Sequence, residues 1–239
     1  MFDTADTGAK LTLDGVSSGY GPIAIIRDLS LSIRRGEIFA LMGKNGMGKT
    51  TLLKTILGLV PARAGDIRLD DQSITGASPK ALIRSGVGYA PQEQPLFTDL
   101  SIRDNLRLAV RSDRDLDTAL DHVFTHFPFL RDRLAQKAGT LSGGEQKMLI
   151  LSRALMLKPD LILIDEISEG LQPTVIAQIA RALHAERDQS GTTILLVEQN
   201  LNFALEVADR WAVLKLGEID DSGEAKPESR ERVLEHLKI

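Results

Sequence analysis

The chain has 239 residues, 43% of them hydrophobic and 26% charged, which suits one sizeable α/β domain or a domain with a subdomain. Its 29 basic and 33 acidic residues leave a net charge of −4, without the basic excess that marks a nucleic-acid binder, so no nucleic-acid partner is expected. Zero cysteines exclude disulfides and thiolate metal sites, no apolar run reaches the roughly 20 residues of a membrane span, and the acidic, polar N-terminus is not a secretory leader. A soluble protein is expected, with any membrane role supplied by a partner.

In chain order, residues 11–16 and 29–33 alternate apolar and polar and read as strands. Residues 38–42 are continuously apolar, as a strand buried on both faces requires, and run directly into Gly43. Helix formers follow over 49–57. Further strands are expected at 66–69, 88–90, 161–164, 193–197 and 211–216. Between 93 and 157 the chain reads as nearly all helical, over 102–110, 115–126 and 144–157. Residues 217–230 are polar and turn-rich, and 231–237 read as a closing helix. This alternation predicts an α/β fold with a mostly parallel sheet, divided into a core (1–92 and 158–239) and an inserted helical subdomain (93–157).

Gly43-Lys44-Asn45-Gly46-Met47-Gly48-Lys49-Thr50 matches G-x-x-x-x-G-K-[ST], with the strand before it and helix after it that a phosphate loop needs. The glycines let successive backbone N–H groups converge on phosphate oxygens, and the helix adds its N-terminal dipole. Lys49 is suited to the β- and γ-phosphates and the Thr50 hydroxyl to Mg²⁺; Thr51 continues the helix N-terminus. ATP or GTP binding follows.

Leu161-Ile162-Leu163-Ile164-Asp165-Glu166 is an apolar strand ending in two carboxylates. Asp165 is the candidate for Mg²⁺, and Glu166, pointing the other way if the strand continues, for polarising the attacking water. Gln92 follows a strand and can ligate Mg²⁺ or water, although an exposed loop glutamine is the commoner reading of such a residue. Leu141-Ser142-Gly143-Gly144-Glu145-Gln146 opens a helix with capping-box spacing and two glycines. It reads either as an ordinary cap or as a second anion site at a helix N-terminus. Two phosphate-binding ends in one chain would both be used in a head-to-tail pair of chains.

These motifs, in this order, resemble the nucleotide-binding subunits of ABC transporters over essentially the whole chain. The resemblance implies an ATPase of translocase type using ATP and Mg²⁺. It makes residues 43–50 the Walker A motif, 161–166 the Walker B motif, Gln92 the Q-loop and 141–146 the signature. It also implies that Tyr20, in Ser18-Gly19-Tyr20-Gly21, stacks on adenine. The chain departs from the family pattern after strand 194–197: Glu198-Gln199-Asn200 stands where a switch histidine is usual, and all four histidines (122, 126, 184 and 236) lie elsewhere. Gln199 can donate a hydrogen bond to the γ-phosphate but carries no charge. Gln172 replaces an aspartate in Ser168-Glu169-Gly170-Leu171-Gln172-Pro173, and Ile167 replaces a frequent proline.

Val197-Glu198-Gln199-Asn200 with Ala208-Asp209-Arg210 is similar to the shorter ATPase subunit of branched-chain amino acid importers. Asn45-Gly46-Met47-Gly48 and Gly170-Leu171-Gln172-Pro173 also resemble the urea-importer branch. The resemblance implies membrane permease partners contacted through the helical block, including residues 93–100. It further implies a second ATPase subunit (a paralogue or another copy) and, indirectly, a periplasmic binding protein. The place implied is the cytoplasmic face of a bacterial inner membrane. Other readings are a urea or short-chain amide importer, a soluble non-transport ABC ATPase and a non-catalytic regulatory cassette. Intact Lys49, Asp165 and Glu166 argue against the last.

Overall fold

The computed structural model describes residues 8–92 and 96–237. The acidic N-terminus and residues 93–95 of the expected partner-contacting stretch lie outside them. The chain opens with a long hairpin, β1 (Ala9–Tyr20) and β2 (Ile23–Arg34), then β3 (Ile38–Met42), α1 (Lys49–Ile56), β4 (Ala62–Leu69) and β5 (Gln72–Ser73). Next come α2 (Pro79–Arg84), β6 (Val87–Ala90), α3 (Ile102–Arg107), α4 (Leu116–His126) and α5 (Gly143–Leu155). The last part holds β7 (Leu161–Asp165), α6 (Pro173–Ser190), β8 (Thr193–Glu198), α7 (Leu201–Val207), β9 (Arg210–Lys215), β10 (Glu218–Glu224) and α8 (Ser229–Leu237).

Two sheets result. One is antiparallel, in the order β2-β1-β4-β5; the other has the order β10-β9-β3-β8-β7-β6 and is parallel except for the antiparallel edge strand β10. The fold is therefore α/β with a mostly parallel sheet and an antiparallel sheet beside it. The central strands β3, β7 and β8 are buried throughout, which explains their unbroken apolar sequence. Their side chains still alternate between faces. Phe39, Leu41, Leu163 and Val197 pack with the hairpin and α1, whereas Ile38, Ile162, Ile164 and Leu196 pack with the helices α4 to α6.

Register brings the ends of these strands together. Met42 lies opposite Glu198, and Asp165 opposite Val197. The segments after β3, β7 and β8 thus leave the sheet along one carboxyl edge, where open parallel sheets bind ligands.

Several elements differ from the sequence expectation. Residues 217–230 hold a strand, β10, whose sequence Glu-Ile-Asp-Asp-Ser-Gly-Glu looks turn-like because it lies at the sheet edge, with no strand beyond it among the described residues. The sequence reading assigns nothing to α2, α6 or α7. For α6, Pro173 occupies the first turn and Gly191 closes the helix with φ 69°. The stretch between α4 and α5 is less helical than expected: it holds short 3₁₀ turns at Pro128–Arg133 and Ala138–Thr140, starting at Pro128, whose ring cannot continue α4.

Candidate nucleotide site

Residues 43–48 leave β3 and turn into α1. Gly46 and Gly48 have φ of 81° and 103°, conformations that a side chain resists. A Cβ on Gly43 would lie 2.7 Å from the carbonyl oxygen of Leu214, so only glycine fits between the loop and β9. Lys49 folds back across this loop. Its Nζ donates to the carbonyls of Gly43 at 2.7 Å and Lys44 at 3.0 Å, and pairs with Glu166 Oε1 at 2.9 Å. The open pocket here, about 420 Å³, is lined by Asn45, Gly46, Lys49, Thr50, Thr51 and Glu166, together with Ile25, Gly48 and Gln92.

Asp165 ends β7, only 1% exposed, where its Oδ1 accepts from the Thr50 hydroxyl at 3.3 Å. Burial raises its pKa, and the Glu166 charge adds to this against the Thr50 hydrogen bond and the Lys49 charge. Its Oδ2 is buried without a hydrogen-bond partner among the described residues. A buried carboxylate oxygen left bare beside a threonine hydroxyl is the oxygen donor set a hard cation requires, so Thr50 and Asp165 fit Mg²⁺.

The strand does not continue through Glu166, contrary to the condition set in the sequence reading. Glu166 takes a left-handed backbone, φ 45°, and its N–H donates to the Val197 carbonyl at 2.9 Å. That turn keeps Glu166 on the pocket instead of sending it to the opposite face. The Gln92 side-chain amide donates to Glu166 Oε2 at 2.8 Å and to Glu169 at 2.9 Å, while Lys147 donates to the Gln92 backbone carbonyl at 2.9 Å. Gln92 thus meets Glu166 through its N–H₂ group. Gln199 is exposed and lines a neighbouring cavity with Glu166 and Glu169.

Ser142 caps α5. Its hydroxyl and backbone N–H both engage Glu145, completing the capping box, and Arg133 pairs with Glu145 at 2.6 Å. Gly143 has open space where a Cβ would sit, whereas a Cβ on Gly144 would touch Val175 at 3.0 Å. None of Ser142, Gly143, Gly144 and Glu145 lines the phosphate-loop pocket. Tyr20, half exposed, is not in that lining either, although it sits on the same hairpin as Ile25, which is.

Glu198, Ser168, Glu169 and Lys147 are not among the residues singled out from the sequence for individual roles. Buried Glu198 accepts from the Ser168 N–H at 3.0 Å and its hydroxyl at 2.8 Å, tying the segment after Glu166 to the end of β8. Burial raises its pKa against these hydrogen bonds. The signal available was a charged residue ending an otherwise apolar strand.

Residues 26–169 match the family model described as ABC transporter. The chain belongs to the ABC transporter family. It is 41% identical over 219 residues to the high-affinity branched-chain amino acid transport ATP-binding protein BraG of Pseudomonas aeruginosa, covering 90% of this chain and 94% of that protein. A probable branched-chain amino acid transport ATP-binding protein, LivF of Archaeoglobus fulgidus, is 35% identical, with 94% of both chains covered. The lipopolysaccharide export system ATP-binding protein LptB of Escherichia coli is also 35% identical, covering 88% and 89%. Among solved structures, a nucleotide-free ATP-binding cassette from an ABC transporter superposes with a TM-score of 0.87 over 95% of each chain, at 24% identity. This ABC protein is therefore an ATPase that binds nucleotide.

Proposed function

We propose that this ATPase energises a bacterial importer of branched-chain amino acids. The observation that carries the solute class is its likeness, across nearly the whole cassette, to the two branched-chain amino acid transport relatives. Glu198-Gln199-Asn200 at the edge of the site supports the same reading. The chain has no helix among the described residues long and apolar enough to cross a membrane. The likeness to those transport relatives supports action at the cytoplasmic face through permease subunits, with solute delivered by a periplasmic binding protein.

At the site, N–H groups of residues 43–48 and the start of α1, including Thr51, cradle the phosphates, and Tyr20 stacks on the adenine. Lys49 leaves Glu166 to pair with the β- and γ-phosphates, which frees that carboxylate to take a proton from the attacking water. Thr50 and Asp165 hold Mg²⁺, with Gln92 beside them; the ion supplies charge neutralisation on the phosphate oxygens. Gln199 donates a hydrogen bond toward the γ-phosphate. Ser142, Gly143, Gly144 and Glu145 of a second ATPase subunit close the nucleotide from the other side. Their separation from the phosphate-loop pocket within one chain favours that arrangement.

Inactivating the gene in its source bacterium should abolish uptake of labelled leucine, isoleucine and valine. Restoring the wild-type chain should recover it, and Lys49→Ala should not. Unchanged uptake of all three would overturn the solute class. Loss of urea or acetamide uptake instead would favour the amide branch that residues 45–48 and 170–173 resemble.

A further inference from the structure

Away from the nucleotide site, α4 and α6 share a group of donors that the ATPase chemistry does not use. His122 and His126 are four residues apart on α4, so both imidazoles project from one helix face. They meet Glu186 of α6, which is 0% exposed, on helices whose Val123 and Leu183 belong to the apolar core together with Phe127. His122 Nε2 lies 2.9 Å and His126 Nε2 2.6 Å from the same oxygen, Glu186 Oε1. Despite these distances, all three atoms are buried without meeting hydrogen-bond geometry.

An ionised carboxylate in an apolar core is costly unless it is paired with good geometry. Two imidazoles crowding a single oxygen hold the Glu186 carboxyl below its usual range against burial, but leave that geometry poor. A cation bound among the three atoms supplies it well. The other carboxylate oxygen is held in place, since Glu186 Oε2 accepts from the Thr192 hydroxyl at 3.3 Å. Such an outer partner commonly orients a ligating carboxylate. The two rings stand nearly perpendicular, 87° apart, with centroids separated by 5.2 Å.

We propose that His122, His126 and Glu186 form a binding site for one divalent first-row transition ion of the Zn²⁺ type, stapling α4 to α6. Two imidazoles and one carboxylate are a known zinc donor set, and a pair of histidines four apart on a helix face presents two of them. All three donor atoms lie within 4.8 Å of one another. Bonds of about 2.0–2.1 Å at tetrahedral angles set donors about 3.3 Å apart, so loading spreads the present 2.6 and 2.9 Å separations by roughly half an ångström. A water completes the fourth position. Mg²⁺ is unsuited, because it demands oxygen ligands. The staple joins the helical block to the helix that leads through Thr192 into β8 and Glu198. It would fix the setting of α4 against the core without touching the nucleotide.

The test uses the full-length, tag-free chain stripped by a chelator and titrated with Zn²⁺ in competition with a chromophoric chelator, in excess Mg²⁺. One ion should bind per chain, and Co²⁺ should give the visible absorption of a tetrahedral site. The melting temperature should rise by roughly 5–10 °C at a hundredfold excess over Kd. Glu186→Gln, and separately the pair His122→Leu with His126→Leu, should weaken binding at least roughly a hundredfold and lose that rise. The leucine pair keeps apolar volume in the core, and the Gln variant keeps the shape of Glu186. Failure of the wild-type chain to bind Zn²⁺ would overturn the proposal. So would equal affinity in the wild type and either folded variant, which would place the ion elsewhere, as at His184 or His236.

Discussion

Glu166, the carboxylate proposed to take the proton, sits in a backbone conformation that costs energy: a non-glycine residue at φ 45° is disfavoured by about 1–2 kcal/mol. The cost is met by the N–H bond to Val197 and by the side-chain contacts to Lys49 and Gln92. If the Glu166 carboxylate takes the proton from water as proposed, Glu166→Gln should leave ATP affinity within about threefold while slowing hydrolysis roughly 10²–10⁴-fold. Equilibrium nucleotide binding and steady-state phosphate release measure the two effects separately. Gln199 is a different case. It is exposed and can only hydrogen-bond, so Gln199→His should retain turnover within about tenfold. Complete loss in the same phosphate-release assay would mean that Gln199 makes a contact whose geometry an imidazole cannot reproduce.

The elements that build the site place glycines where side chains cannot go. At Gly48, φ is 103° and a Cβ would sit 2.9 Å from the Ile26 side chain. Gly48→Ala should therefore destabilise the chain by about 1–3 kcal/mol in denaturant unfolding and weaken nucleotide binding as the loop shifts. The candidate motifs were readable from sequence because their residues are contiguous: residues 43–50, 141–146 and 161–166 are each a single run. The buried strands β3, β7 and β8 were readable for the same reason. Long-range pairings were not. Nothing local says that Gln92 meets Glu166, that Lys147 holds Gln92, or that Glu198 fastens Ser168; parallel-sheet register creates these contacts. Strand β10 was hidden by its polar edge position, and α6 by a sequence whose charged outer face obscures a narrow apolar stripe. The cluster of His122, His126 and Glu186 depends on the packing of α4 on α6, which no local pattern announces.

At the scale of the molecule, two anion-ready features stand apart. The phosphate loop and acidic strand end share one pocket, while the capping box at Ser142 lies outside its lining. A single chain can therefore hold nucleotide and yet lack half of the groups proposed to enclose it. The proposed closure by a second subunit would make hydrolysis a property of the pair, and only nucleotide that binds the closed pair more tightly could drive a coupled permease. The proposal also places the helical block, which carries Ser142, between the site and a membrane partner. The most direct measurement is ATP turnover per chain as a function of chain concentration, alongside sedimentation with Mg·ATP. The account predicts a per-chain rate that climbs with concentration as two-chain assemblies form, and a Ser142→Arg chain whose rate stays near zero throughout. A constant per-chain rate, held down to concentrations at which the protein sediments as a monomer, would contradict it.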